Sequence, residues 1–225
     1  MEAVRGHIRL AGREPFAVGG NRYCFEHPED ARRCVKVLRP GCGAAEKRER
    51  APVWKRLRPE SAFDENLREW RAYRRIRRDI GDEAWRHLPR CHGLVGTDIG
   101  GGVGIVTDLV RNADGTISGS LKIRLRAAGN DPHFRLAVER FSRFLRDTGL
   151  PTRDLLLHNL VAREETRSGN GPFSIIMVDG FGVSDGLPTA FGWRRFPRHR
   201  IERKLRKFDG RIGDFCEKYA IPYRQ

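Results

Sequence analysis

The feature that most constrains this chain is a cation set inside an apolar strand pattern. Cys34-Val-Lys-Val-Leu38 is β-prone and apolar apart from Lys36, which the two-residue period of a strand puts on the face of Cys34 and Leu38. An ammonium group on a covered sheet face needs a countercharge or an anionic ligand. Just upstream, residues 16–25 read as strand, glycine turn, strand, with Gly19 and Gly20 in the turn, where a positive φ costs little.

Downstream, residues 39–64 mix Pro, Gly and charge without periodicity and read as a long connection with room for one helical turn. A helix is expected over residues 65–80, where Leu67, Trp70, Tyr73, Ile76 and Ile80 form a stripe bordered by Glu69. Gly81 stops it. Glu69 is the natural partner for Lys36, with Glu65, one turn earlier, as the alternative. The run Val103 to Val110 reads as a buried strand leading into a connector, and Asn112 to Gly115 as a turn. The clearest helix spans Pro132 to Thr148: Asp131 caps it, Pro132 suits its first position and Gly149 its end, with Phe134, Val138, Phe141 and Leu145 on one face. A short apolar segment (Leu155 to Val161), a polar hairpin (Arg163 to Pro172) and a strand from Ser174 to Val178 follow.

Composition sets outer limits. A hydrophobic fraction of 39% with four Trp and 12 Phe excludes general disorder, and 225 residues fit one two-lobed domain. Lys and Arg number 44 against 29 Asp and Glu, so the net charge is +15. Counterion release could then drive nucleic-acid binding. However, 37 of the 44 cations are Arg, a skew that GC-rich coding produces without selection for a ligand. The basic clusters, densest over residues 194–211, lack the aromatic interleaving that stacks bases. A solvated, anion-attracting face is the preferred reading. No run approaches a membrane span, and Met1 to Arg13 lacks a signal-peptide core, so a cytoplasmic protein is expected. Five cysteines, none in a C-x-x-C pair, are expected to be reduced. His87, Cys91 and His92 lack the spacing of a tetrahedral metal site and read as structural.

Four elements occur in one order: a Gly turn with a strand lysine, a helix glutamate, an Arg-Asp-Leu segment with an Asn, and a strand ending in Asp-Gly-Phe-Gly. That order points to phosphoryl transfer. Residues 152–160, Thr-Arg-Asp-Leu-Leu-Leu-His-Asn-Leu, resemble the catalytic loop of protein kinases, with Asp154 and Asn159 spaced five apart. Val178-Asp-Gly-Phe-Gly182 resembles the metal-binding Asp-Phe-Gly segment with one residue added, Gly180. More specifically, residues 27–37 after the Gly-Asn-Arg turn, and Leu88-Pro-Arg-Cys-His-Gly93, resemble the bacterial YrbL family, named for the PhoP regulatory network. The likeness covers nearly the whole chain, including the basic ending from Trp193 to Phe208.

The resemblance implies an α+β, reduced protein-kinase-like bilobal fold. Residues 1–107 would form an antiparallel β-sheet N-lobe with one main helix, and residues 108–225 a hinge (Asp108 to Val110), a small, mainly helical C-lobe and a basic ending. ATP and Mg²⁺ are the implied cofactors. Gly19, Gly20, Lys36 and Glu69 would bind nucleotide, Asn159 and Asp179 would hold the metal, and Asp154 would orient or deprotonate the acceptor hydroxyl. The chain departs from the kinase pattern in three places: the glycine turn is short, Thr152 replaces the loop histidine, and no Ala-Pro-Glu segment follows Asp179. A phosphotransferase with a regulatory role and an unidentified acceptor or regulatory partner protein is therefore expected, with a pseudokinase or binding module as the alternative and a nucleic-acid binder as a second.

Overall fold

The structure is a computed structural model that describes residues 4–167, 171–182 and 197–222. The chain divides into two compact units, residues 1–74 with 90–109 and residues 75–89 with 110–225.

The first unit is built on a six-stranded sheet in the order β1-β5-β6-β4-β3-β2. Its strands are β1 (Val4–Ile8), β2 (Ala17–Val18), β3 (Arg22–His27), β4 (Asp30–Leu38), β5 (Cys91–Thr97) and β6 (Val103–Asp108). All neighbours are antiparallel except the edge pair β1 and β5, which run parallel. Alternation sorts β3 and β4 by face. Phe25, Val35 and Val37 join Ile8, Leu10, Val95 and Val106 in one apolar cluster. The opposite face carries Arg22, Cys24, Cys34 and Lys36, since Cys24 lies across from Lys36 and Arg22 across from Leu38.

The expected single helical turn in residues 39–64 is instead two short helices, α1 (Ala44–Glu49) and α2 (Val53–Arg56), plus a 3₁₀ turn at Glu60–Ala62. None of the three buries a residue, so no apolar period marks them in the sequence. Helix α3 (Glu65–Asp79) begins on the Asp64 carboxylate, which accepts from the amides of Asn66 (2.8 Å) and Leu67 (3.0 Å). Its fully covered line is Asn66, Glu69, Tyr73 and Ile76, whereas Leu67, Trp70 and Ile80 are only half-buried. The helix is thus rotated so that two polar residues face inward.

The second unit contains α4 (Leu121–Ala128), α5 (Pro132–Thr148), the hairpin β7 (Leu160–Glu164) with β8 (Phe173–Met177), and α6 (Arg198–Lys218). Helix α5 has the expected bounds, with Asp131 accepting from the Phe134 amide (2.7 Å) and Gly149 left-handed at φ 65°. Its buried face is Phe134, Ala137, Phe141, Phe144 and Leu145, and Val138 lies at the edge. Arg124 of α4 is buried between Asp131 (2.8 Å) and Glu164 (3.1 Å), tying two helices to the hairpin. Helix α4 has only Leu121 and Leu125 as buried apolar residues, a pattern too short to read from the sequence. The basic ending, from Arg198 onward, becomes α6, which buries Ile201, Leu205, Phe208, Ile212 and Cys216. Residues 193–196 lie outside the described residues, as does everything between Val183 and Phe196.

Candidate functional site

In the first unit, Lys36 donates to Glu69 Oε1 at 2.8 Å, and both side chains are almost fully buried. The partner left open in the sequence is thereby decided. Glu65 instead pairs with Lys47 (2.7 Å) and accepts from Asn21 (2.9 Å). Glu69 carries a second cation that sequence reasoning missed: Arg22, itself buried, donates to Oε2. Arg22 is two strand positions from Cys24, on the Lys36 face, so alternation could have placed it. Asn66 ties the helix to the sheet beside the pair by donating to the carbonyls of Lys36 (3.3 Å) and Val103 (3.0 Å).

The glycine turn differs from expectation. Neither Gly19 nor Gly20 has a positive φ, and the Gly19 amide donates to Arg22 O (2.8 Å). Arg39 caps the turn by donating to the carbonyls of Gly19 (3.0 Å) and Gly20 (3.3 Å). In this conformation, therefore, the Gly19 amide closes the turn and is not offered to a phosphate.

In the second unit, backbone bonds lock the two loop motifs together. Arg153 donates its amide to Gly180 O (2.7 Å), Gly182 to Pro151 O (2.8 Å) and Val178 to Asn159 O (2.9 Å). Asp154, Asn159 and Asp179 are consequently brought around Gly180. The added residue has a structural reason: Gly180 sits at φ +84°, and a Cβ there would come 2.6 Å from Asp154 O and 3.3 Å from Asn159 Nδ2. Only glycine allows that approach without strain. Asp179 Oδ1 accepts from the Gly180 amide (2.6 Å), with the Arg153 guanidinium at 3.5 Å. Asn159 and Asp179 are half-buried oxygen donors, the ligand type a hard divalent cation prefers.

Helix α6 reaches this loop with two cations one heptad apart. Arg211 donates to Asp154 Oδ1 (2.7 Å) and to Leu155 O (3.2 Å), and Lys204 donates to Arg153 O. Burial pulls Lys204 below the usual lysine pKa, and the nearby Asp154 carboxylate opposes that fall. The densest basic segment thus contributes side chains to the loop, a role charge density alone could not specify. Because the Arg211–Asp154 pair is partly exposed, Arg211→Ala is expected to change global stability by less than about 1 kcal/mol. Its expected effect is local: faster amide hydrogen exchange at residues 153–155, with the melting temperature nearly unchanged. Unchanged exchange there would show that the loop is held without Arg211.

These features define the class: an α+β protein with a buried lysine–glutamate pair on a sheet and an Asp-Asn-Asp loop system in a helical unit. The family model described as PhoP regulatory network protein YrbL matches residues 8–212, so the chain belongs to the YrbL family. The protein named "Uncharacterized protein YrbL" from Escherichia coli (strain K12) is 28% identical over 203 residues, covering 89% of this chain and 85% of the relative. The same name, identity and coverage apply to a relative from Shigella flexneri. Among solved structures, a double mutant of the PknI kinase domain of Mycobacterium tuberculosis is 19% identical with a TM-score of 0.40, covering 74% of this chain and 56% of that one. No helix among the described residues is long and apolar enough to cross a membrane.

Proposed function

We propose that this protein is a kinase-like ATP-binding protein, a Mg²⁺-dependent phosphotransferase with a regulatory role. The observation that carries the reading is the buried Lys36–Glu69 pair at 2.8 Å. A carboxylate that holds an ammonium at a defined position pre-organises it for phosphate oxygens. Arg22 on the same carboxylate adds a second buried cation to that face. In the second unit, Asn159 and Asp179 would hold Mg²⁺, which when bound neutralises charge on the phosphates. Asp154 would orient the acceptor hydroxyl and accept its proton.

The test is a thermal-shift titration with Mg·ATP, in which ligand at 100 times Kd adds about 2.7 kcal/mol of stability. Lys36→Met is expected to remove most of the shift, and Asp179→Asn its Mg²⁺ dependence. Asp154→Asn should retain binding, because an interaction confined to the transition state appears in kcat. No shift in the wild type at millimolar nucleotide would overturn the reading.

One observation favours a second reading, a nucleotide-binding regulatory module without turnover. Asp154, the proposed base, is engaged by Arg211 at 2.7 Å. Shift by Mg·ATP without phosphate transfer to any offered acceptor would decide for it.

A further inference from the structure

Cys24 and Cys34 lie on neighbouring strands, on the sheet face that carries Lys36. In the β3–β4 register Cys24 is directly opposite Lys36, and Cys34 is opposite Glu26, two residues before Lys36. The two cysteines are therefore diagonal neighbours across the pair, with their thiols near enough to influence each other's ionisation. Cys24 is half-buried and Cys34 is buried.

We propose that Cys24 and Cys34 form a reversible peroxide-responsive thiol pair, whose disulfide switches off the Lys36–Glu69 site. The reaction names its oxidant by class, a hydroperoxide. The Cys24 thiolate attacks the terminal peroxide oxygen, the O–O bond breaks, the leaving alkoxide takes up a proton as alcohol, and Cys24 becomes a sulfenic acid. The Cys34 sulfur then attacks the Cys24 sulfur. The S–O bond breaks, and the departing hydroxide leaves with the Cys34 proton as water. Two thiols and one hydroperoxide thus give one disulfide, one alcohol and one water.

The surroundings assign the roles. The hydrogen bond from Cys34, aided by the charges of Lys36 and Arg22, brings the Cys24 pKa down to about 7 against the opposing effects of burial and Glu69. Its surroundings thus favour the thiolate, the nucleophilic form. Donating to Cys24, together with burial and the Cys24 charge, pushes the Cys34 thiol up, so it stays protonated until the sulfenic acid forms. Diagonal strand neighbours are about 7–8 Å apart at Cα, beyond the usual disulfide span, so the bond can close only if the backbone moves. Closing the bond therefore draws β3 and β4 together beside Lys36. That consequence for nucleotide rests on the proposed function; the disulfide itself does not.

The experiment is non-reducing peptide mapping of the full chain after treatment with one equivalent of hydrogen peroxide, paired with Mg·ATP thermal shift before and after. The expected result is a Cys24–Cys34 linked peptide, reversed by dithiothreitol, and a nucleotide shift present only in the reduced protein. Cys34→Ser, which keeps a hydroxyl donor beside Cys24 but cannot form the disulfide, should leave Cys24 as a sulfenic acid that dimedone traps. Alkylation of Cys24 by iodoacetamide should rise with a midpoint near pH 7, the value its surroundings give it. If wild-type Cys24 and Cys34 remain unlinked after peroxide, the thiol pair is overturned, whatever the variants do. If they link and the nucleotide shift persists, the coupling to Lys36 is overturned. Linkage with no nucleotide shift in either state overturns the nucleotide reading and leaves the thiol pair standing.

Discussion

Replacing Glu69 by alanine is expected to lower the unfolding free energy by about 3–5 kcal/mol, the range for deleting one partner of a buried ion pair. The variant would remove the carboxylate that pairs with both Lys36 and Arg22, which stand 5% and 7% exposed. Neither ammonium nor guanidinium can recover its hydration without opening the sheet–helix contact. Lys36→Met should cost less, because Arg22 still neutralises Glu69 and the methionine stem fills similar space. Urea unfolding of the two variants checks the asymmetry. Equal losses, or a loss below about 1 kcal/mol for Glu69→Ala, would mean that water reaches the pair and that it is not the rigid element the proposed function requires.

The second large effect is expected at Gly180. Gly180→Ala places a Cβ 2.6 Å from the Asp154 carbonyl oxygen, on a backbone at φ +84°. The conformation alone costs on the order of 1–3 kcal/mol for a non-glycine residue. The overlap adds to this, because the neighbour is backbone held by the bond from Arg153 N to Gly180 O and cannot swing aside. Relief requires the segments 151–154 and 178–182 to separate. The variant should therefore melt lower and, on the proposed function, lose the Mg²⁺ dependence of nucleotide binding as well. A Gly180→Ala protein with wild-type melting and wild-type Mg²⁺ dependence would show that the Asp154, Asn159 and Asp179 segments are not coupled through this residue.

Both effects arise from features only partly visible in the chain. The deletion of Glu69 is serious because of Arg22, and the substitution at Gly180 because of a carbonyl 26 positions earlier. The same contrast runs through the molecule. Asp131, Pro132, the Phe134–Leu145 stripe and Gly149 determined α5 from end to end, because capping and a 3.6-residue period are local properties. Alternation likewise determined that Lys36 shares a face with Cys34. The short helices of residues 39–64 bury nothing, so no periodicity recorded them.

Local rules stop where partners are chosen. The sequence by itself determined that Lys36 required a countercharge, that Asp154 and Asn159 stood five apart, and that an extra glycine followed Asp179. Tertiary structure decided that Glu69, not Glu65, meets Lys36, since the rotation of α3 turns Asn66 and Glu69 inward. It also decided which arginines reach the candidate-site carboxylates: Arg22 at Glu69, Arg211 at Asp154 and Arg153 at Asp179. The physical reason is that periodicity reports which face a side chain occupies along its own element. Pairing between elements depends on their separation and rotation in three dimensions, and every arginine carries the same charge in the sequence.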